Sequence, residues 1–118
     1  MEIKQLIDAM RKRPGMYVRE ERLDYIYHLI SGYCGGKYGS ACEMDYKFSC
    51  WFWKWLLQWI EENVDAEYSP KSCYWPDDIK AIAGGEEKEV PLFYELCDKF
   101  FEDYYDCVVE IIIVENFP

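Results

Sequence analysis

Three kinds of residue in this chain could do chemistry: its single histidine, its six cysteines, and several pairs of neighbouring carboxylates. A general base or metal site built on His28 would need carboxylate or thiolate partners from elsewhere in the fold. The cysteines include no CxxC pair and have no histidine at metal-ligand spacing, and no serine lies in a Gly-x-Ser-x-Gly context. We therefore predict no catalytic residues, no cofactor-binding residues and no metal site, and we expect that the protein is not an enzyme.

Each of these groups also has a structural explanation. His28 lies at the edge of an apolar helical stripe, where we expect a boundary histidine whose hydrogen bonds are satisfied. The carboxylate pairs Asp77-Asp78 and Glu61-Glu62 are expected to interact with helix dipoles rather than to act as acid and base. We expect the cysteines to be mostly reduced, buried, small apolar residues. They are Cys34, Cys42, Cys50, Cys73, Cys97 and Cys107.

The charge of the chain is strongly acidic and unevenly placed. The net charge is −10, and residues 1–60 carry 9 Lys/Arg against 7 Asp/Glu, whereas residues 61–118 carry 4 against 16. The two halves therefore differ in sign, at +2 and −12. An acidic field of this size repels phosphate backbones and anionic lipids, and it attracts basic proteins over about 8–10 Å at physiological salt. We expect neither a nucleic-acid partner nor a membrane partner.

The hydropathy pattern indicates a cytoplasmic protein. The first 13 residues alternate charged with apolar side chains and lack the uninterrupted apolar region of a secretory signal. No later run of uncharged apolar residues has the length of about 18 that a membrane-spanning helix needs.

The acidic residues near the C-terminus are regularly spaced. Apart from the adjacent pair Glu102-Asp103, they recur every three to four positions, which places them on one helical face. Repulsion between neighbours costs roughly a few tenths of a kcal/mol per pair. This face is either simply solvated or a docking surface for a basic protein, with exposed aromatic residues as anchors. The series comprises Glu95, Asp98, Glu102, Asp103, Asp106 and Glu110. As partner-binding residues we predict Glu95, Asp98, Glu102, Asp103, Asp106, Trp53 and Trp75.

Apolar periodicity predicts the elements that position these residues. Spacings of three and four residues indicate a mainly all-α fold, a compact bundle of about five helices forming a single domain over residues 1–118. The expected helices are one that stops before Pro14-Gly15, one from about Glu21 to a left-handed stop at Gly35-Gly36, one over Phe48 to Val64, a short one from Trp75 to Gly84-Gly85, and one beginning near Pro91. A glycine-rich loop is expected over residues 35–47. The β-branched stretch from Val108 to Val114 leaves a short terminal strand as an alternative to helix.

The turn after the first helix resembles a known enzyme family. The string Arg11-Lys12-Arg13-Pro14-Gly15-Met16-Tyr17 is similar to a stretch near the start of the gyrase B-subunit ATPases. The resemblance implies a nucleotide-binding enzyme, in which the next helix carries a Glu base and an Asn magnesium ligand and a later Asp-x-Gly-x-Gly loop binds adenine. In the next helix here, the stretch from Tyr25 to Gly32 has neither residue, and the chain has no Asp-x-Gly-x-Gly. The structural interpretation is a Pro-Gly turn with Met16 and Tyr17 closing onto the core.

A second resemblance covers most of the chain, roughly residues 6–105. Its parts are Arg-Pro-Gly-Met-Tyr, then Leu23, Ile26, Ile30, Gly32 and Tyr33, then an aromatic helix, and then Phe-Tyr-Glu-Leu-x-Asp-x-Phe-Phe from Phe93 to Phe101. This layout resembles small bacterial immunity proteins of polymorphic-toxin and contact-dependent growth inhibition systems. It implies a cytoplasmic antidote that binds one cognate toxin domain, often a basic nuclease. It assigns no binding residues, because such families vary their contact surfaces.

The high aromatic content leaves one further alternative open. Aromatic residues make up 19% of the chain, and they must fill the core or line a binding face. A structural homo-oligomer that buries the surplus tryptophans in a symmetric interface would use them equally well.

Overall fold

Five α-helices and one 3₁₀ turn make up the part of the chain that the computed structural model describes, residues 2–36, 43–70 and 72–104. The helices are α1 (Ile3–Lys12), α2 (Leu23–Gly36), α3 (Glu43–Asn63), α4 (Trp75–Ala83) and α5 (Glu86–Tyr104). The described residues contain no strand, and the prediction of a mainly α-helical bundle of about five helices is confirmed. The possible strand over residues 108–114 lies outside the described residues.

Helix α1 ends at Lys12, as predicted, and its apolar stripe is buried. The buried residues are Ile3, Leu6, Ile7 and Met10. The 3₁₀ turn at Pro14–Met16 follows. Here the prediction that Met16 closes onto the core is wrong, because its side chain is 69% exposed. Tyr17 is half-buried against the core, and Val18 is the residue of this segment that is buried.

Helix α3 begins five residues before the predicted start at Phe48, so the predicted loop is shorter than residues 35–47. The first turn of α3 was not predicted because its polar residues interrupt the apolar periodicity. Asp45 is fully buried and its Oδ1 accepts a 2.6 Å hydrogen bond from the backbone N–H of Ile3, which ties α3 to the start of α1. Lys47 is also buried. The other end of the loop is helical as well, since α2 continues through Gly35-Gly36 and Gly35 has no positive φ.

Helices α4 and α5 form a tight hairpin. Gly84 adopts the left-handed conformation (φ 82°) that ends α4, as predicted. Helix α5 begins at Glu86, not near Pro91, because the acidic run that looked like solvated loop forms the first helical turn. Carboxylates there interact favourably with the positive end of the helix dipole. Pro91 lies inside α5, where it provides no N–H for the carbonyl one turn earlier.

The core is aromatic and lies where α3, α4 and α5 meet. Phe52 is stacked on Phe48, with ring centroids 4.6 Å apart, and it contacts Phe100 edge to face at 5.5 Å. Trp75 of α4 stacks on Phe93 of α5 at 5.1 Å, with the ring planes only 4° apart. These contacts fix the rotation of α5, because its buried aromatic side chains allow only the opposite side to face solvent. In the described residues, no helix is both long and apolar enough to cross a bilayer.

Candidate functional site

The outer side of α5 carries the acidic series that the sequence predicts. Glu95 and Glu102 are exposed two helical turns apart, and neither forms an ion pair within the described part of the chain. The opposite side of the same helix is buried. We call the exposed carboxylates Glu95, Asp98 and Glu102 the α5 acidic face. Asp106 and Glu110 lie outside the described residues, so the face is described only as far as Tyr104.

Asp98 is partly neutralised by the protein itself. Arg11 of α1 binds it in a bidentate manner, with N–O distances of 2.9 and 3.2 Å, and also donates to the carbonyl oxygen of Tyr94 at 2.8 Å. The guanidinium carbon lies 4.8 Å from the centre of the Tyr94 ring. The hydrogen bond with Asp98 raises the pKa of Arg11. Asp98 therefore holds α1 against α5 and contributes less negative charge to the acidic face than Glu95 or Glu102.

Asp103 lies on the side of α5 that borders α3. Its Oδ2 accepts a 2.6 Å hydrogen bond from the indole N–H of Trp55, a buried residue of α3. This bond orients the carboxylate while Asp103 stays exposed. The sequence suggested a common face for the whole acidic series, but Asp103 belongs to a separate site between two helices.

That site is a cleft of about 350 Å³, which we call the α3–α5 cleft. It is lined by Trp55, Gln58, Trp59, Glu62, Asp103 and Tyr104. Burial, and secondarily the neighbouring Asp103, raises the pKa of Tyr104 to about 12, so its hydroxyl stays protonated at neutral pH. Sequence reasoning missed Trp59 and Glu62. The available signal was the carboxylate pair Glu61-Glu62 in the last turn of α3, where the helix dipole is negative and carboxylates are unfavourable.

Trp53 is half-buried, and its indole N–H forms a hydrogen bond within the protein. Its indole N–H donates to Oδ2 of Asp78 at 3.0 Å, and the hydroxyl of Tyr68 donates to Oδ1 at 2.5 Å. Asp78 is fully buried, so these two bonds offset the desolvation of its carboxylate. The pair Asp77-Asp78 lies in the first turn of α4, as the dipole interpretation requires, but Asp78 also connects α3, α4 and the segment between them.

Trp75 belongs to the core. It is only 8% exposed and stacks on Phe93. This burial contradicts the prediction that Trp75 is a surface anchor, because the ring has almost no area left to offer a partner. The sequence did not indicate this burial, because a tryptophan before a proline at a helix start can lie either in the core or on the surface.

A second cleft, of about 370 Å³, brings together cysteines from three segments. Cys34 of α2, Cys50 of α3 and Cys73 before α4 line it, together with Trp53. Cys50 and Cys73 are exposed and Cys34 is half-buried, so the prediction of mostly buried cysteines is wrong for this group. Cys97 is the buried cysteine among the described residues.

The remaining chemical candidates are dispersed. His28 is exposed, and its ring contacts the edge of the Tyr27 ring at 5.4 Å. It is thus a surface residue rather than the boundary residue expected. Among residues 2–36, 43–70 and 72–104, no three His, Cys, Asp or Glu side chains are grouped so that they could hold a metal ion.

Comparison with known proteins gives no relative for this arrangement. No family model matches the chain, and neither a curated protein nor a solved structure matches it.

Proposed function

We propose that this protein is an immunity protein that binds and neutralises a cognate, basic toxin domain, and that its acidic C-terminal half attracts this domain electrostatically. The observation that carries the proposal is the α5 acidic face. Glu95 and Glu102 are held outward by a buried aromatic side of the same helix and form no ion pair with any described lysine or arginine. Carboxylates in this state attract a cationic partner over about one Debye length.

The charge balance supports the same proposal. The net charge of −10 and the 16 acidic residues after residue 60 favour a basic protein over a phosphate-bearing ligand. A nuclease toxin suits this chemistry, because a protein that binds nucleic acid presents basic side chains around its substrate groove. An acidic protein that covers that groove competes directly with the substrate. The resemblance to immunity proteins gives the same class of partner.

The direct test is protection. Each toxin domain encoded beside the gene is expressed in a sensitive bacterial host with and without this protein, and complex formation is followed by co-purification. We expect one toxin to be neutralised and to co-elute with the protein. The proposal is abandoned if none of these toxins is bound or neutralised while the protein is present and folded by circular dichroism.

A further inference from the structure

The α3–α5 cleft combines aromatic walls with negative charge. Trp55, Trp59 and Tyr104 supply rings, and Glu62 and Asp103 supply carboxylates. No lysine or arginine is among the described residues that line it. Rings and carboxylates together favour a cation, because the π face and the carboxylate both present negative charge to it.

In the described part of the chain, two arginines show this combination of groups. Arg11 lies 4.8 Å from the Tyr94 ring while binding Asp98, as described above. Arg22 lies 4.4 Å from the centre of the Tyr25 ring, and its Nη2 is 2.8 Å from Oδ2 of Asp24. In both cases a guanidinium is placed over a ring with a carboxylate beside it. The α3–α5 cleft offers the same groups to a guanidinium from outside the molecule.

We propose that the α3–α5 cleft binds one arginine side chain of a protein partner. The half-buried Trp59 and Tyr104 offer ring surface to the guanidinium, and Glu62 and Asp103 accept its hydrogen bonds. The Trp55 indole fixes Asp103 before the arginine arrives, which reduces the ordering needed on binding. A planar guanidinium fits this site better than an ammonium group, because it stacks on rings and binds carboxylates with several N–H groups.

The acidic end of α3 is consistent with this role. Glu61 and Glu62 occupy the last turn of α3, where carboxylates interact unfavourably with the helix dipole. Glu62 lines the cleft, and Glu61 is exposed outside it. A bound arginine would compensate the charge of Glu62 but not that of Glu61. These two neighbours therefore form a matched pair for an experiment.

The test uses a capped tri-arginine peptide, with the capped tri-citrulline peptide as its uncharged isostere. Binding is followed by the indole ¹H–¹⁵N NMR signals, assigned with single Trp→Phe variants. We expect saturable shifts of the Trp55 and Trp59 signals with the arginine peptide only. Glu62→Gln should weaken binding about threefold, as expected for an exposed ion pair, whereas Glu61→Gln should change it less than about 1.5-fold. Equal shifts with tri-citrulline, or equal weakening by the two variants, would overturn the assignment.

The arginine site rests on the proposed function, because the arginine would belong to the toxin. The arginine site and the immunity function can nevertheless be tested separately. The peptide titration needs no toxin, so a clear result with it stands even if no neighbouring toxin is neutralised. Conversely, if a toxin is neutralised and Glu62→Gln binds it as tightly as the unchanged protein does, the arginine site is wrong and the immunity function stands.

Discussion

The ring of Tyr94 contacts the Arg11 guanidinium, whereas its buried hydroxyl group lacks a hydrogen-bond partner in the described part of the structure. The ring supports the Arg11 guanidinium, while the buried hydroxyl carries the full cost of desolvation. We expect Tyr94→Phe to keep the ring contact and to stabilise the protein by about 1 kcal/mol. Urea unfolding followed by circular dichroism measures the change. A loss of stability would mean that the hydroxyl is hydrogen-bonded in solution.

The cysteines should divide sharply by reactivity. Burial raises the pKa of the Cys97 thiol well above its usual value, so both access and thiolate formation are suppressed there. Cys50 and Cys73 are exposed in one cleft. With iodoacetamide and peptide mass spectrometry on the native protein, we expect these two to be alkylated at least about tenfold faster than Cys97. Comparable rates would contradict the burial of Cys97, and unfolding in urea should abolish the difference.

Individual residues were harder to predict than their neighbourhoods. The spacing of the α5 carboxylates correctly put Glu95 and Glu102 on an exposed side, because helical periodicity determines that direction. It did not reveal that Asp98 binds Arg11 or that Asp103 binds Trp55, since both contacts join residues far apart in the chain. The burial of Trp75 likewise depends on where α5 packs.

At the scale of elements, the tyrosines of α5 should make the protein sensitive to alkali. Burial raises the pKa of both Tyr94 and Tyr104 to about 12. A tyrosine with a raised pKa binds its proton more tightly in the folded state. Its contribution to the free energy of unfolding is therefore complete below the unfolded-state pKa of about 10, and this contribution is lost as the pH rises through about 12.

We accordingly expect the urea midpoint to fall between about pH 10 and pH 12, and to fall less in Tyr104→Phe than in the unchanged protein. Tyr68, whose pKa is also raised by burial and by Asp78, should supply part of the remaining slope. The experiment is a series of urea titrations at fixed ionic strength. An identical pH profile for Tyr104→Phe would show that this hydroxyl is as solvated in the folded state as in the unfolded one.

The helices themselves were largely predictable, and their ends were not. Apolar spacing and Pro-Gly signals located α1 and α4, because those helices are amphipathic and are followed closely by proline or glycine, which favour the end of a helix. The starts of α3 and α5 were set too late. Buried Asp45 and Lys47 interrupt the apolar pattern of α3, and the glutamates before Pro91 look like loop until the helix dipole is considered.

At the scale of the whole molecule, the charge asymmetry should affect the rate at which a basic partner associates. The acidic residues after residue 60 include α5 and the last turn of α3, so the α5 acidic face and the α3–α5 cleft carry the same sign. A basic partner would be attracted by the first and anchored in the second. Long-range attraction chiefly affects association, whereas a short-range contact such as the Glu62 site affects dissociation.

For the toxin complex proposed above, this division predicts which rate constant should change. The double variant Glu95→Lys, Glu102→Lys should bind about threefold to tenfold more slowly at low salt, with little change in the dissociation rate. Its association rate should also depend less on ionic strength. Stopped-flow tryptophan fluorescence measures both rates. The control is Glu20→Lys, an exposed charge reversal in the N-terminal half. Within the described part of the chain, the Glu20 carboxylate pairs only with Arg22, at 3.9 Å.

Because this control changes net charge by the same amount per residue, it separates the position of the charge from its total. If Glu20→Lys slows association as much per reversed charge, the effect is one of net charge and the α5 acidic face has no special role. If the double variant associates at the unchanged rate, the toxin approaches another surface. A slower rate confined to the α5 variants would place the approaching toxin beside α5, within reach of the α3–α5 cleft.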